Sequence, residues 1–304
     1  MKKLLFLLCF GLLLTACSSP DTEGSPDVTD APDATDIPNP KTVLSTLDYK
    51  NTGKMGDTDG PAFAVYSNLG YTGASATLDI AGMEINTVLP GGRFINGYAF
   101  FGIDVYNKTG SWWQNCVDVG LCWSGQNGGW HVFYNMYEPL NETTYTWYES
   151  NVILPKDDIY HMSLQLTEDN YALLTVEGQN SGMKDEVRVE VKGALADGRN
   201  TAFLFNTALD YPPNTKVDRN GKRSEDFAEI TLANTDKGLY LRSFRVEDLT
   251  LYQGDTASAW TNDKSKSSAV SIWPDKSIAG FDYSPTVVET SGGTEYTIHL
   301  DMNR

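Results

Sequence analysis

Two of the four cysteines, the three histidines and a scatter of carboxylates are the groups in this chain whose types and spacing bear on chemistry. Cys116 and Cys122 stand six residues apart, and in an oxidising compartment such a pair is expected to close a local disulfide around Cys116-Val-Asp-Val-Gly-Leu-Cys122. The loop is short, so chain entropy would make the bridge worth only a few kcal/mol, and its expected role is to lock the segment in shape. His131, His161 and His299 are scattered without Cys-x-x-Cys or His-x-x-x-His spacing, so no metal site is expected. Glycoside hydrolysis needs two carboxylates in one cleft, about 5 to 5.5 Å apart for retention and farther for inversion. Glu138 and Glu149 lie in aromatic stretches suited to that task, but Glu138 precedes Pro139, and a solvent-facing or turn carboxylate is the preferred reading of each. Asp57-Thr-Asp-Gly60 begins like a calcium loop but lacks the later acidic residue, so it reads as a turn. No Gly-x-Ser-x-Gly elbow points to a serine hydrolase; Gly91-Gly92 and Gly128-Gly129 read as hairpin or bulge signals, and no lysine or arginine cluster accompanies a phosphate-like glycine loop, so no cofactor is expected. His131, between Trp130 and Val132, reads as a hydrogen-bonded rim histidine.

The densest aromatic block is Phe100 to Glu149, which holds five of the seven tryptophans together with Tyr106, Tyr134, Tyr137, Tyr145 and Tyr148. Trp and Tyr are seldom buried whole, so some of these rings are expected to line a groove. Trp112, Trp113, Trp123, Trp130, Tyr134, Trp147 and Glu149 are the candidate ligand-binding residues.

The elements that must position these groups are strands. Short runs rich in aromatic and β-branched residues, among them Phe63 to Tyr66, Ala99 to Tyr106, Trp130 to Tyr137 and Ala202 to Phe205, are punctuated by Gly, Asn, Asp and Pro. In His161 to Thr167, Met162, Leu164 and Leu166 share one face and Ser163 and Gln165 the other. The turn Glu168-Asp-Asn170 then leads into Tyr171 to Val176, which makes a hairpin with one wet face. Val187, Val189 and Val191 alternate with charges in the same way. No stretch keeps helical spacing over three turns, so the expected fold is an all-β sandwich or jelly roll of two antiparallel sheets.

The chain begins with two lysines, an apolar run too short to span a bilayer, and Leu14-Thr-Ala-Cys17. That segment resembles the lipobox of bacterial lipoproteins, which implies a signal peptide over residues 1–16, lipidation of Cys17 and a protein anchored to the bacterial cell envelope, outside the cytoplasm. Residues 18–40 carry five prolines, six acidic residues and no Lys or Arg, so residues 17–41 read as a disordered acidic tether. Residues 42–304 read as one domain, with 256–304 either an appended hairpin or edge strands completing the sandwich. A formal charge of -17 argues against a nucleic-acid partner.

Several segments carry a family resemblance. Phe101-Gly-Ile-Asp104, Cys116 to Trp123, Thr144-Tyr-Thr-Trp-Tyr-Glu149, Pro155-Lys-Asp-Asp-Ile159 and Asp226 to Asn234 fall in the order and approximate spacing of the glutamic peptidases, or eqolisins. The resemblance spans roughly residues 95–250 and implies a concanavalin A-like sandwich with a cleft on a concave face. In that family a glutamine and a glutamate across the cleft activate water and stabilise the tetrahedral intermediate. Here those positions fall on Asp118 and on or near Asn206, so a carboxylate and an amide are present but exchanged. A carboxylate can act as general base and an amide as oxyanion donor, yet both side chains differ in length from the family's, and a 1 Å misplacement costs about a hundredfold. Binding of an extended polymer, polysaccharide or peptide, in an aromatic-lined groove is therefore the leading expectation. An acid-active peptidase using Asp118 and Asn206, or another hydrolase, comes second, and a non-catalytic envelope or surface scaffold third.

Overall fold

A computed structural model describes residues 42–43, 62–88, 94–125, 128–141, 143–209, 239–271, 286–290 and 293–301. Cys17 with the signal and tether, Asp57 to Gly60, Gly91-Gly92 and Asp226 to Asn234 lie outside the described residues. The described chain is built of strands: β1 (Thr42–Val43), β2 (Ala62–Leu69), β3 (Gly73–Asp79), β4 (Glu84–Asn86), β5 (Gly97–Tyr106), β6 (Trp113–Ser124), β7 (Gly129–Met136) and β8 (Trp147–Glu149). There follow β9 (Ile159–Glu168), β10 (Tyr171–Gly178), β11 (Lys184–Glu190), β12 (Thr201–Leu209), β13 (Tyr240–Gln253), β14 (Thr256–Ala259), β15 (Ser265–Ser271), β16 (Thr286–Thr290) and β17 (Glu295–Asp301).

These strands make two antiparallel sheets. Ten strands form the first, in the order β1-β16-β17-β13-β3-β9-β10-β11 with β4 and β14 also on β13; seven form the second, β15-β2-β12-β5-β6-β7-β8. The strands of the C-terminal segment thus enter both sheets: β15 borders β2 in one, and β17 lies between β16 and β13 in the other. The main core lies between the sheets, where Phe101, Val119, Trp130 and Phe205 meet Leu78, Tyr160, Leu174 and Phe244.

In the ten-stranded sheet the alternation expected from sequence is present. Met162, Leu164, Leu174, Val176 and Val189 are buried, while their strand neighbours reach solvent. Asn170, at φ 67° between β9 and β10, makes the tight turn, a conformation that its short polar side chain tolerates. The loop that leads from β8 into β9 is tied down by Asp158, whose buried carboxylate accepts the backbone N–H groups of Ile159 (2.7 Å), Asn180 (2.8 Å) and Ser181 (3.0 Å) and the Ser181 hydroxyl. Burial works to raise its pKa, but these hydrogen bonds outweigh it and hold the carboxyl below the usual value.

The expected disulfide is absent: Cys116 and Cys122 are both unbridged. They sit in one uninterrupted strand, Cys116 opposite Asp104 and Cys122 opposite Tyr98. At about 3.3 Å of rise per residue their Cα atoms are roughly 20 Å apart, against about 4.4–6.8 Å in a disulfide. The short sequence separation implied a loop, and the segment is instead extended.

Candidate functional site

The seven-stranded sheet is buried on both faces through β5, β12 and most of β6 and β7. One face meets the first sheet. On the other, side chains stand in rows set by the ladder registers. One row runs Ala64, Asn206, Phe100, Gly120, Phe133 and Glu149 across β2, β12, β5, β6, β7 and β8; the next runs Tyr66, Leu204, Gly102, Asp118, Asn135 and Trp147. Ala202, Asp104 and Cys116 flank the second row, and Ala208, Tyr98, Cys122 and His131 flank the first. Apolar members of these rows form a second cluster, with Tyr98, Phe100, Phe133 and Leu204 at its centre.

Asp118 and Asn206 therefore share a face. They are two strands and one row apart, so ladder spacing sets their Cα atoms about 12 Å from one another. Gly102 lies between them, directly beside Asp118 and diagonal to Asn206. A methyl group on Gly102 would stand 3.0 Å from Asp118 Oδ1 and 3.0 Å from Leu204 Cδ2, so the bare glycine leaves the space over which the carboxylate leans. Asp118 is 3% exposed and Asn206 4%, and Asn206 Oδ1 has no hydrogen-bond partner among the described residues. Asp104, also buried, lies diagonally across the β5–β6 ladder from Asp118.

His131 and Glu149 sit at the β7–β8 side of the same face. His131 Nδ1 is 2.9 Å from the Ser150 carbonyl oxygen, which can only accept, so Nδ1 carries a hydrogen. Nε2 is buried with no hydrogen-bond partner among the described residues. Glu149 Oε1 is 3.9 Å from Nδ1, and the Glu149 side chain keeps 32% of its exposure. Around them, Trp147 lies 5.2 Å from Phe133 and 6.4 Å from Tyr98 between ring centroids.

The binding residues proposed from sequence separate into three sets. Trp123, Trp130 and Tyr134 belong to the core between the sheets, with Trp123 and Trp130 5.7 Å apart and Tyr134 stacked on Tyr148 at 5.0 Å. Burial, then the nearby Tyr148 and Glu190, push the Tyr134 hydroxyl pKa up. Trp147 and Glu149 lie on the face that carries Asp118. Trp113 packs 5.6 Å from Tyr137 at one end of that sheet, and Trp112 beside it is 64% exposed. Sequence reasoning passed over Asp104, Tyr98, Phe100, Phe133 and Asn135 as site residues and gave His131 only a rim role. Counting in twos from Asp118 and crossing to the neighbouring strands reaches all of them, once the register is known.

No protein-family model matches the sequence, and no curated protein matches it. Among solved structures the chain is similar to scytalido-glutamic peptidase with a transition-state analog inhibitor, at 14% identity over 80% of this chain and 97% of that one, with a TM-score of 0.43. It is also similar to aspergilloglutamic peptidase from Aspergillus niger (13% identity, 66% and 98% covered, TM-score 0.35). A third likeness is to the Crh5 transglycosylase in complex with NAG (11%, 71% and 73%, 0.33). These likenesses are distant and stand at the level of the fold.

Proposed function

We propose that this chain is a lipid-anchored extracytoplasmic protein of a bacterial envelope that binds an extended peptide on the outer face of its seven-stranded sheet and hydrolyses it there. The observation that carries the reading is the juxtaposition of Asp118 and Asn206 on one face, in adjacent rows, across the gap left by Gly102. An ionised Asp118 takes a proton from water as the water oxygen bonds to the scissile carbonyl carbon. Asn206 Nδ2 donates to the oxygen that gains negative charge. When the tetrahedral intermediate collapses, the C–N bond breaks and the proton on Asp118 passes to the leaving amine. A low-dielectric, mostly apolar surround strengthens both interactions.

The test is proteolysis of an unfolded protein substrate from pH 2 to 7, comparing wild type with Asp118→Asn and Asn206→Ala. Cleavage lost in both variants, with both still folded, supports the assignment; wild type inert throughout the range sinks it. A second reading, a polysaccharide-binding groove, is favoured by the exposed Trp112, Tyr137 and Tyr145, on loops braced by Asn107 and Asn141 side-chain hydrogen bonds. Sugar rings offer apolar faces to such aromatics and hydroxyls to the amides. Glycan binding without proteolysis would select that reading.

A further inference from the structure

Glu149 differs from four other glutamates of the chain, each of which is paired with a lysine or arginine. Glu138 pairs with Lys192, Glu168 with Arg188, Glu186 with Lys184 and Glu247 with Arg245. Among the described residues Glu149 has only the His131 imidazole near it, at 3.9 Å, and that ring already donates Nδ1–H to Ser150. The Glu149 carboxylate is one-third exposed, beside the half-open ring of Trp147 and the Phe133 and Tyr98 rings behind it. The acceptors of this corner outnumber its donors: two carboxylate oxygens, and the buried, unpartnered His131 Nε2. Negative charge, aromatic faces and an unused nitrogen acceptor together complement one kind of group, a cation that carries several N–H donors on an apolar stem.

We infer that the corner formed by Glu149, Trp147, Phe133 and His131 is a specificity subsite for a Lys or Arg side chain of the bound peptide. This rests on the peptide reading of the same face. The apolar stem lies along Trp147, and the charged head donates to Glu149 and to His131 Nε2. Glu149, on β8, is two strands and one row from Asp118 and four strands from Asn206, on the side of β6 away from β5, so a peptide that crosses the strands past Asp118 can place one side chain in this corner. The role is in binding, and no step of bond cleavage passes through Glu149.

The experiment uses the full chain carrying Asp118→Asn, so that turnover does not obscure binding, and follows tryptophan fluorescence. The probes are capped Ala-Ser peptides bearing a single Lys, Arg, Nε-acetyl-Lys or norleucine, scanned through each position. At the position that reaches the corner, the Lys and Arg peptides are expected to bind about tenfold more tightly than the acetyl-Lys and norleucine peptides. Glu149→Gln should abolish that preference while leaving norleucine affinity unchanged, a split that mere loss of folding cannot produce. Equal affinity for all four side chains at every position, or an equal loss for all four in Glu149→Gln, overturns the subsite and leaves the peptide cleft standing. Absence of binding by any peptide overturns the peptide reading and the subsite with it.

Discussion

Replacing Gly102 with alanine moves the proposed base while leaving the fold in place. The added methyl would lie 3.0 Å from Asp118 Oδ1, 3.0 Å from Leu204 Cδ2 and 3.3 Å from Leu204 Cβ, so side-chain atoms on both sides must give by a few tenths of an ångström. Crowding a packed face costs about 1–3 kcal/mol, and restricting the unfolded chain returns about 0.4–1 kcal/mol, which leaves a net loss of roughly 1–2 kcal/mol. Since a 1 Å misplacement of a reacting group costs about a hundredfold, displacement of the Asp118 carboxylate by part of that should slow peptide cleavage about tenfold. Gly120→Ala is the contrast. Its methyl would stand 2.4 Å from Phe100 Cα and 2.6 Å from the Ala99 carbonyl oxygen, backbone atoms held by the β5–β6 ladder, so a loss above about 4 kcal/mol is expected. Urea denaturation gives the two stabilities, and initial rates on an unfolded substrate give the activity of Gly102→Ala. Full activity in a folded Gly102→Ala protein would refute a catalytic placement of Asp118 over this gap. Destabilisation as severe as that of Gly120→Ala would mean that Gly102 serves packing alone.

Asp158→Ala removes the acceptor for three backbone N–H groups and a hydroxyl, and a loss of about 3 kcal/mol in urea denaturation is expected at neutral pH. Because the folded carboxyl titrates below its unfolded value, its contribution is complete above the unfolded pKa of about 4 and fades as pH falls through the folded one. The gap between wild type and Asp158→Ala should therefore narrow below about pH 4, and a gap constant from pH 7 to 2 would contradict the carboxylate's role. Unfolding the folded body without reductant should release two titratable thiols, Cys116 and Cys122; finding none would restore the bridge. Fatty-acid labelling of cells expressing the full chain should mark the protein, and Cys17→Ser should abolish the label; label retained in that variant would refute anchoring at Cys17.

Where a strand has one wet face, the sequence is enough to orient it. Met162, Leu164, Val187 and Val189 alternate with Ser163, Gln165, Glu186 and Arg188, and a one-residue slip would put the apolar set in water, so fold class, hairpin and core face follow from the pattern alone. The β5, β6, β7 and β12 strands are covered on both faces, so Phe100 and Phe101, or Val119 and Gly120, carry no mark of which points where. Aromatic density in that region could not separate the core rings of Trp123 and Trp130 from Trp147 on the site face, because burial on either side selects the same residue types. Closeness in sequence likewise suggested a bridge that a 12-residue strand holds open. That Asp118, Asn206, His131 and Glu149 occupy one face was decided by the registers of five neighbouring strands, and register is a property of the assembled sheet, fixed only when each strand has its partners.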